Sequence, residues 1–580
     1  MVNEIKNLIK QAVSAEIDIE VSASDKPEFG HYSTNAAFKF TPTSKASSGL
    51  AGKSPFEIAK ELALKLGNPS TSSGSIFAKI EAVQPGFINF WLKPEVLQGE
   101  LKKILKEKKN FGNLNPKPST LNPKKINLEF VSANPTGPLT MANGRGGFYG
   151  DVLANVLEKT GHKVTREYYV NDAGNQVRLL GESILAELGK AEPAENHYKG
   201  GYIKDLAKSF LPTGDVPKGQ KSKVSAQGRS ASGGKSQNAE QVGKMATKIL
   251  LKEIKTSLKK AGIKHDKWFS ENANLRKKGE LKKVLEFLKK KGVAEEKDGA
   301  TWFIPSGVEG LGDLPAEALA KEGGVLVKSD GNPTYFLADL AYHYDKLIKR
   351  KFDLAIDIWG ADHHGYAQRM KKGVEALGLN PERLKILITQ LVRLVSGGKE
   401  VRMSKRKGEF ITMDNLLEEV GTDASRFFFL MHSLDTHMDF DLDLAKEKSN
   451  KNPVFYAQYA LVRCGNILRK SKVEKSLPAG RQGKSKVDLA LLNSDSEIRL
   501  MLELIKFPDL IAQTSEDYQV HRLTKYAGDV AGALHNFYEH ERVVGVEKNL
   551  EQSRLALVSA TKIVLENLFD ILGISKPKKM

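Results

Sequence analysis

Apolar and polar positions alternate along this chain in two rhythms. Between about residues 120 and 445 the apolar residues fall in short runs separated by helical repeats. Ile126–Val131 (INLEFV) reads as a strand. Phe148, Tyr149, Val152, Leu153, Val156 and Leu157 then recur at the spacing of a one-sided helix, and Val164–Val170 (VTREYYV) reads as the next strand. Leu354–Trp359 and Leu384–Ile388 are later strands. Strands alternating with helices predict an α/β fold with a doubly wound parallel sheet. From about residue 450 the period is helical almost throughout and ends in an amphipathic run, Arg554–Leu572. The first block mixes an opening helix, a turn-rich stretch around Lys26–Tyr32 and an alternating strand, Gly86–Leu92. The expected organisation is a small α+β module over 1–115, an α/β centre over 120–445 and an all-α module over 450–580.

Composition adds limits. The Gly/Ser/Lys-rich stretches 211–241 and 470–487 have little to bury and read as flexible insertions. Elsewhere, 40% hydrophobic content over 580 residues supplies ordinary cores. A single cysteine, Cys464, excludes a disulfide framework or a cysteine-rich metal site and is expected to be a small buried hydrophobe. No run approaches the length of a membrane span. Glu4, Lys6 and Lys10 interrupt the opening helix where a signal peptide needs apolar residues. The expectation is a soluble, intracellular, cytoplasmic protein. A net charge of +19 raises the prospect of a polyanionic partner. Charge alone does not decide it, because part of the surplus lies in the insertions.

Two segments carry candidate chemistry. Ser132–Gly147 (SANPTGPLTMANGRGG) joins the first strand to the first helix. A Gly/Pro-rich loop at a helix N-terminus presents free N–H groups and the positive end of the dipole, which suits phosphate. It matches neither the P-loop nor the dinucleotide fingerprint, and alone it serves equally as a tight connection. Val401–Gly408 (VRMSKRKG) packs four cations into one short loop. Such a loop could neutralise a triphosphate during displacement at phosphorus, or simply be a solvated face.

Together these segments resemble the paired signatures of class I aminoacyl-tRNA synthetases. Thr140-Met-Ala-Asn143 stands where that family has His-Ile-Gly-His, and Arg402-Met-Ser-Lys-Arg406 where it has Lys-Met-Ser-Lys-Ser. Further segments narrow the resemblance to the arginyl-tRNA synthetases. These are Phe29-Gly-His-Tyr-Ser-Thr-Asn-Ala36, Gln84-Pro-Gly-Phe-Ile-Asn-Phe90, Asn134-Pro-Thr-Gly-Pro-Leu139, Tyr168-Tyr-Val-Asn-Asp-Ala-Gly-Asn-Gln176, Trp359-Gly-Ala-Asp-His-His-Gly-Tyr366 and Asn452-Pro-Val-Phe-Tyr-Ala-Gln-Tyr-Ala460. The resemblance implies a Rossmann-like catalytic domain, a tRNA-contacting N-terminal domain and a helical anticodon-binding domain. It also implies ATP-dependent activation of L-arginine and transfer to the terminal adenosine of tRNA(Arg). Another class I synthetase, or a catalytically weakened RNA-binding relative, stands as the alternative. The weakened relative is raised by Thr140 and Asn143, which replace two histidines with neutral donors.

By position, the resemblance assigns Thr140, Asn143, Arg402, Ser404 and Lys405 to catalysis. Ala133, Asn134, Pro135, Thr136, Gly137, Pro138, Leu139, Met141, Ala142, Gly144, Gly360, Asp362, His363 and Met403 are assigned to ATP, which enters with Mg²⁺ as a substrate complex. A guanidinium is planar with five donors, so a selective pocket needs carboxylates. The resemblance assigns arginine to Glu129, Asn134, Tyr335, Asp339 and Gln368, and tRNA to Tyr456, Gln458, Tyr459, Tyr538 and Met580. Aromatics interleaved with cations suit splayed bases, although such stripes also build cores. Ala361-Asp-His-His-Gly365 invites a metal reading and is also similar to the Asp-His-His phosphoesterases, but no accompanying aspartates are found. No resident metal is expected, and the chain is expected to be monomeric.

Overall fold

The run that opens the α/β centre forms a strand, but a shorter one than the pattern implies. In the computed structural model β1 covers Lys125–Glu129 and the chain then leaves the sheet. Val131 adopts φ 68° and Ser132 φ 39°, in the left-handed region that a β-branched residue rarely enters. The Ser132 N–H donates to the Phe130 carbonyl at 3.0 Å, closing a three-residue turn around Val131. The Ser132 hydroxyl secures that turn, donating to Glu129 at 2.9 Å and accepting the Tyr169 N–H at 3.0 Å. Local side-chain bonds thus hold a conformation that hydrophobic alternation cannot foresee.

The structure describes residues 1–13, 18–24, 29–40, 53–67, 76–114, 123–211, 235–304, 324–401, 411–471 and 487–580. They divide into two compact units, Pro116–Glu447 and a second that joins Met1–Asn115 to Lys448–Met580. The linear pattern sets the first and last blocks apart, whereas their contacts unite them. Among the described residues no helix is long and apolar enough to cross a membrane.

In the larger unit, β1 is followed by α1 (Met141–Lys159), β2 (Lys163–Val170), α2 (Asn175–Glu187), α3 (Lys235–Lys260), β3 (Lys267–Ser270), α4 (Tyr335–Tyr344), β4 (Leu354–Gly360), α5 (His364–Ala376) and β5 (Leu384–Thr389). The sheet order is β5-β4-β1-β2-β3, and every pairing is parallel. The chain builds outward from β1 to one side and then returns to build on the other. That reversal between β1 and β4 is the topological switch point where open α/β sheets bind ligands. Gly150 lets α1 lie on the sheet, since a Cβ there would come within 2.3 Å of the Phe130 ring. Gly181 and Gly243 let α2 and α3 cross with their backbones touching, where Cβ atoms would meet carbonyl oxygens at 1.8 and 1.9 Å. The insertion expected over 211–241 is therefore too long at its end: α3 starts at Lys235, and Ala239 is only 1% exposed. Residues 212–234 lie outside the described set, as do 472–486.

In the second unit a four-stranded antiparallel sheet, Val21–Ala23, Tyr32–Thr34, Phe87–Leu92 and Phe77–Val83 in spatial order, carries the helices Val2–Val13, Pro55–Gly67 and Pro94–Glu107. Among the described residues, five α-helices between Pro453 and Leu572 complete it. Asp509 accepts the Val2 N–H at 3.0 Å, and the Asn567 amide donates to the Lys108 and Phe111 carbonyls at 2.9 and 3.1 Å. Cys464 is fully buried, and burial pushes its thiol up to about 12.

Candidate active site

Three carboxylates stand side by side across the sheet. Strand register pairs Asp357 of β4 with Glu129 of β1, and Glu129 with Glu167 of β2, so they share one face. Glu129 is 7% exposed, and Asp357 and Glu167 are fully buried. Such a row needs cations. They come from the π-helical turn Asp345–Lys349 after α4 and the residue that ends it. Lys346 Nζ lies 2.6 Å from Glu129 Oε2 and 2.8 Å from Asp357 Oδ1. Arg350 donates to both Glu167 oxygens, at 2.5 and 2.8 Å. His343 Nε2 meets Asp357 at 2.9 Å. Burial pushes the Asp357 carboxyl up, but Lys346 and His343 outweigh it and hold the group down to about 2. At Glu129 burial prevails over Lys346, and its carboxyl sits above the usual range.

A cleft of about 870 Å³ opens at the switch point above this row. Glu129, Ala133, Asn134, Asn143, Tyr335, Asp339, Gly360, Asp362 and His363 line it, together with Tyr169, Trp359 and Tyr366. Asp339, on α4, differs from the floor carboxylates. It accepts the Tyr366 hydroxyl at 2.6 Å and has no ion-pair partner among the described residues. Burial, only partly offset by that hydroxyl, pushes its carboxyl up to about 6. It is a recessed negative charge awaiting a cation.

The entry to α1 is equally specific. The Thr140 N–H and hydroxyl both donate to Asn143 Oδ1, each at 2.9 Å. A backbone N–H can only donate, so Oδ1 must face Thr140 and the Asn143 amide nitrogen is left with its two protons for other acceptors. Asn143 lines the cleft and Thr140 does not. The first N–H of the helix, at Met141, is taken by the Ile411 carbonyl at 3.0 Å, and Met413 N–H donates to Leu139 at 2.9 Å. An antiparallel bridge between Thr140 and Thr412 joins these segments. Residues 411–413, separated from the basic stretch by two residues in sequence, are thus tied to the start of α1. Arg145, the one cation in the first signature segment, is fully buried and donates to the Gln390, Leu391, Ser433 and Thr436 carbonyls.

The remaining candidates are placed unevenly. Pro135, Thr136, Gly137 and Pro138 form the loop between β1 and α1; Leu139, Met141 and Gly144 are buried behind it and Ala142 is exposed, none of them lining the cleft. Arg402, Met403, Ser404 and Lys405 lie outside the described residues. Gln368 is exposed and does not line the cleft; Tyr366, two residues earlier and so on the other side of α5, does. Asp362 and His363 approach one another at 3.6 Å. In the helical block, Arg463 lies over the Tyr459 and Tyr538 rings at 4.9 Å each and donates to His535 at 2.7 Å. Tyr456 packs on the His535 ring at 4.8 Å. Burial, with Arg463 beside it, brings the His535 imidazole down to about 4, so it is a neutral acceptor. Tyr538 and Met580 are exposed. Gln458 is buried and donates to Ser575, which places it behind the surface rather than on it.

Sequence reasoning missed Lys346, Asp357, His343 and Tyr366. The signal was available for one of them: Asp357 interrupts the strand run Leu354–Gly360 at a position that alternation buries.

The fold and this switch-point cleft define a class I aminoacyl-tRNA synthetase, and a family model described as the class I (R) tRNA synthetase catalytic domain matches residues 100–431. Models for the arginyl-tRNA synthetase N-terminal domain and the DALR anticodon-binding domain match 2–92 and 457–580. The arginine–tRNA ligase of Carboxydothermus hydrogenoformans is 42% identical, over 97% of this chain and 95% of its own. That of Acetivibrio thermocellus is 40% identical over the whole of both. The arginyl-tRNA synthetase structure from Thermus thermophilus shares the fold, with a TM-score of 0.74 at 20% identity and complete coverage of both chains. The chain belongs to the arginyl-tRNA synthetase family.

Proposed function

We propose that this chain activates L-arginine with ATP and transfers the arginyl group to the terminal adenosine of tRNA(Arg). The observation that carries the reading is the recessed Asp339, which has no ion-pair partner among the described residues, in a cleft at the β1–β4 switch point. Its carboxylate would take the guanidinium, with Tyr335 alongside and Glu129 offering its remaining lone pairs. Asn134 would hold the α-amino or carboxylate group. ATP would enter as its Mg²⁺ complex against the loop Ala133–Leu139, Gly360, Asp362 and His363. The arginine carboxylate attacks the α-phosphorus, an oxygen–phosphorus bond forms, and pyrophosphate leaves with its bonding pair. The protein moves no proton in that step and acts by positioning and by stabilising charge. The Asn143 amide is the donor from the first signature, and Lys405, by family likeness, the cation from the second.

A three-part organisation, over 1–115, 120–445 and 450–580, fits this division of labour. Tyr456, Tyr459, Tyr538 and Met580 would contact tRNA, with Gln458 supporting the tail that ends in Met580. We also propose a cytoplasmic monomer, which sedimentation near 63.9 kDa would support. The deciding experiment is ATP–pyrophosphate exchange across amino acids, with and without tRNA. Exchange confined to arginine plus tRNA(Arg) supports the reading; exchange with another amino acid, or none under any condition, defeats it.

A further inference from the structure

Several lysines on this protein's exposed helices are answered within a turn. Lys103 pairs with Glu100, Lys208 with Asp205, Lys525 with Asp529, and on α3 itself Lys244 with Glu240. After Lys244 that pattern stops. Lys248, Lys252, Lys255 and Lys259 are all exposed, and none has an ion-pair partner among the described residues. Their spacing of four, three and four residues keeps them on one helix face, rising about 6, 4.5 and 6 Å in turn. The opposite face of α3 is engaged by the apolar core through Ala246 and Leu250. The helix's remaining acid, Glu253, forms no ion pair with them among the described residues, and burial, with Asp205 and Asp414 nearby, pushes its carboxyl up.

The ridge runs into a groove of about 320 Å³ that Lys255 and Lys259 share with Lys264, His265 and Trp268, and among the described residues no carboxylate lines it. Lys255 Nζ sits 4.6 Å from the Trp268 ring, and that ring is held from behind by Tyr168, stacked at 4.5 Å. A cation seated on an aromatic face keeps its charge at the groove while losing little side-chain freedom on binding.

We propose that this ridge and groove bind the phosphate backbone of RNA, as a tRNA-contacting surface on the catalytic unit. A single phosphate could not engage cations spread over about 17 Å of helix. An extended polyanion could, and the reaction proposed above brings one to this chain, so the inference rests on that reading. Backbone contacts of this kind give affinity without sequence preference and are lost steeply with salt, because each neutralised phosphate releases condensed counterions.

The test uses the full chain carrying Lys252→Ala, Lys255→Ala and Lys259→Ala together. Binding of a tRNA(Arg) transcript is measured from 50 to 200 mM salt. Removing three phosphate contacts should make the slope of log affinity against log salt shallower by about 2, so the deficit at low salt shrinks roughly 16-fold across that range. The KM values for ATP and arginine at saturating tRNA should not change. A matched triple, Lys282→Ala, Lys289→Ala and Lys562→Ala, removes the same net charge at lysines that have acidic neighbours and should keep the wild-type slope. Equal loss of slope in both triples would overturn the proposal in favour of a general field effect. An unchanged slope in the ridge triple would reduce the ridge to a solvated face. A wild-type chain that binds no tRNA would instead defeat the ligase reading, and this inference with it.

Discussion

Two carboxylates face one cleft in different electrostatic states. Glu129, at the end of β1, is engaged twice, by the Lys346 ammonium at 2.6 Å and the Ser132 hydroxyl at 2.9 Å. Asp339, on α4, is engaged once, by the Tyr366 hydroxyl at 2.6 Å. A carboxylate already matched by a buried cation adds shape to a pocket but little net attraction. An unmatched one is destabilised by burial until a cation arrives, and binding recovers that cost. Discrimination for a guanidinium should therefore rest on Asp339, while Glu129 and the lysine beneath it hold the frame.

The largest effect should come from removing that frame. Lys346→Met keeps the length of the side chain but leaves Glu129 and Asp357 adjacent and buried with only the Ser132 hydroxyl and the His343 ring to answer them. Breaking a buried pair by deleting one partner costs about 3–5 kcal/mol. Three of the four tryptophans, Trp268, Trp302 and Trp359, belong to the larger unit, so the denaturation midpoint followed by their fluorescence reports it. A wild-type midpoint would mean that the floor does not depend on the cation, and the contrast with Asp339 would lose its basis.

The same contrast between engaged and open groups recurs at the start of α1. The Thr140 hydroxyl is engaged by Asn143, whereas the Asn143 amide nitrogen has no partner among the described residues and lines the cleft. Asn143→Ala should lower kcat for arginine-dependent pyrophosphate exchange by about 10²- to 10³-fold, the usual loss for one transition-state donor. Thr140→Val should cost only a few-fold, because the backbone N–H still orients the amide, and Thr140→Ser almost nothing. Equal losses at both positions would make Thr140 a direct donor and remove the distinction.

Asp339→Asn keeps the shape and removes the charge. Loss of a charge-assisted hydrogen bond of about 1.5–3 kcal/mol should raise the arginine KM roughly ten- to 150-fold, with the ATP KM nearly fixed. Stability should not fall, since an unmatched buried charge disappears. A variant that loses stability instead would place Asp339 with the frame.

Much of this was legible in the sequence, for physical reasons that also mark where legibility ends. Four of the five sheet strands, β1, β2, β4 and β5, and the helical C-terminal block follow from hydrophobic period, whereas the four-residue β3 carries too short a pattern to read. The cleft follows from strand order, because Glu129 and Gly360 end neighbouring strands at the reversal point. Lys346 was not legible: Asp345-Lys-Leu-Ile-Lys-Arg350 reads as a charged, solvated helix end, and a π-helical turn takes it out of the 3.6-residue period. Only the burial of Asp357 beside Glu129 demands a cation there. Gln368 and Tyr366 are both plausible by proximity in sequence, and the rotation of α5 chooses between them. The start of α3 hid in a stretch whose Ser, Gln and Asn content suggests a linker, although Ala239 packs against α2.

The smallest expected effect is a pH dependence confined to one substrate. Burial raises the Asp339 carboxyl to about 6, and arginine requires its ionised form. Below that value protons compete with the guanidinium, so the arginine KM should rise about tenfold for each unit of acidification, while above pH 7 it should be flat. Stability of the ligand-free chain carries the opposite sign. A carboxyl raised by folding favours the protonated native state, so its contribution is present at low pH and lost as pH rises through 6. Arginine should therefore stabilise the chain more at pH 7 than at pH 5. Asp357 adds nothing to either trend, because it stays ionised down to about 2, and the Asp339→Asn variant separates Asp339 from Glu129, whose carboxyl burial also raises. In Asp339→Asn the arginine profile should flatten between pH 5 and 7 while the ATP profile stays as it was. A wild-type arginine KM already flat over that range would mean that Asp339 is matched by a cation after all, and the two carboxylates of the cleft would no longer differ.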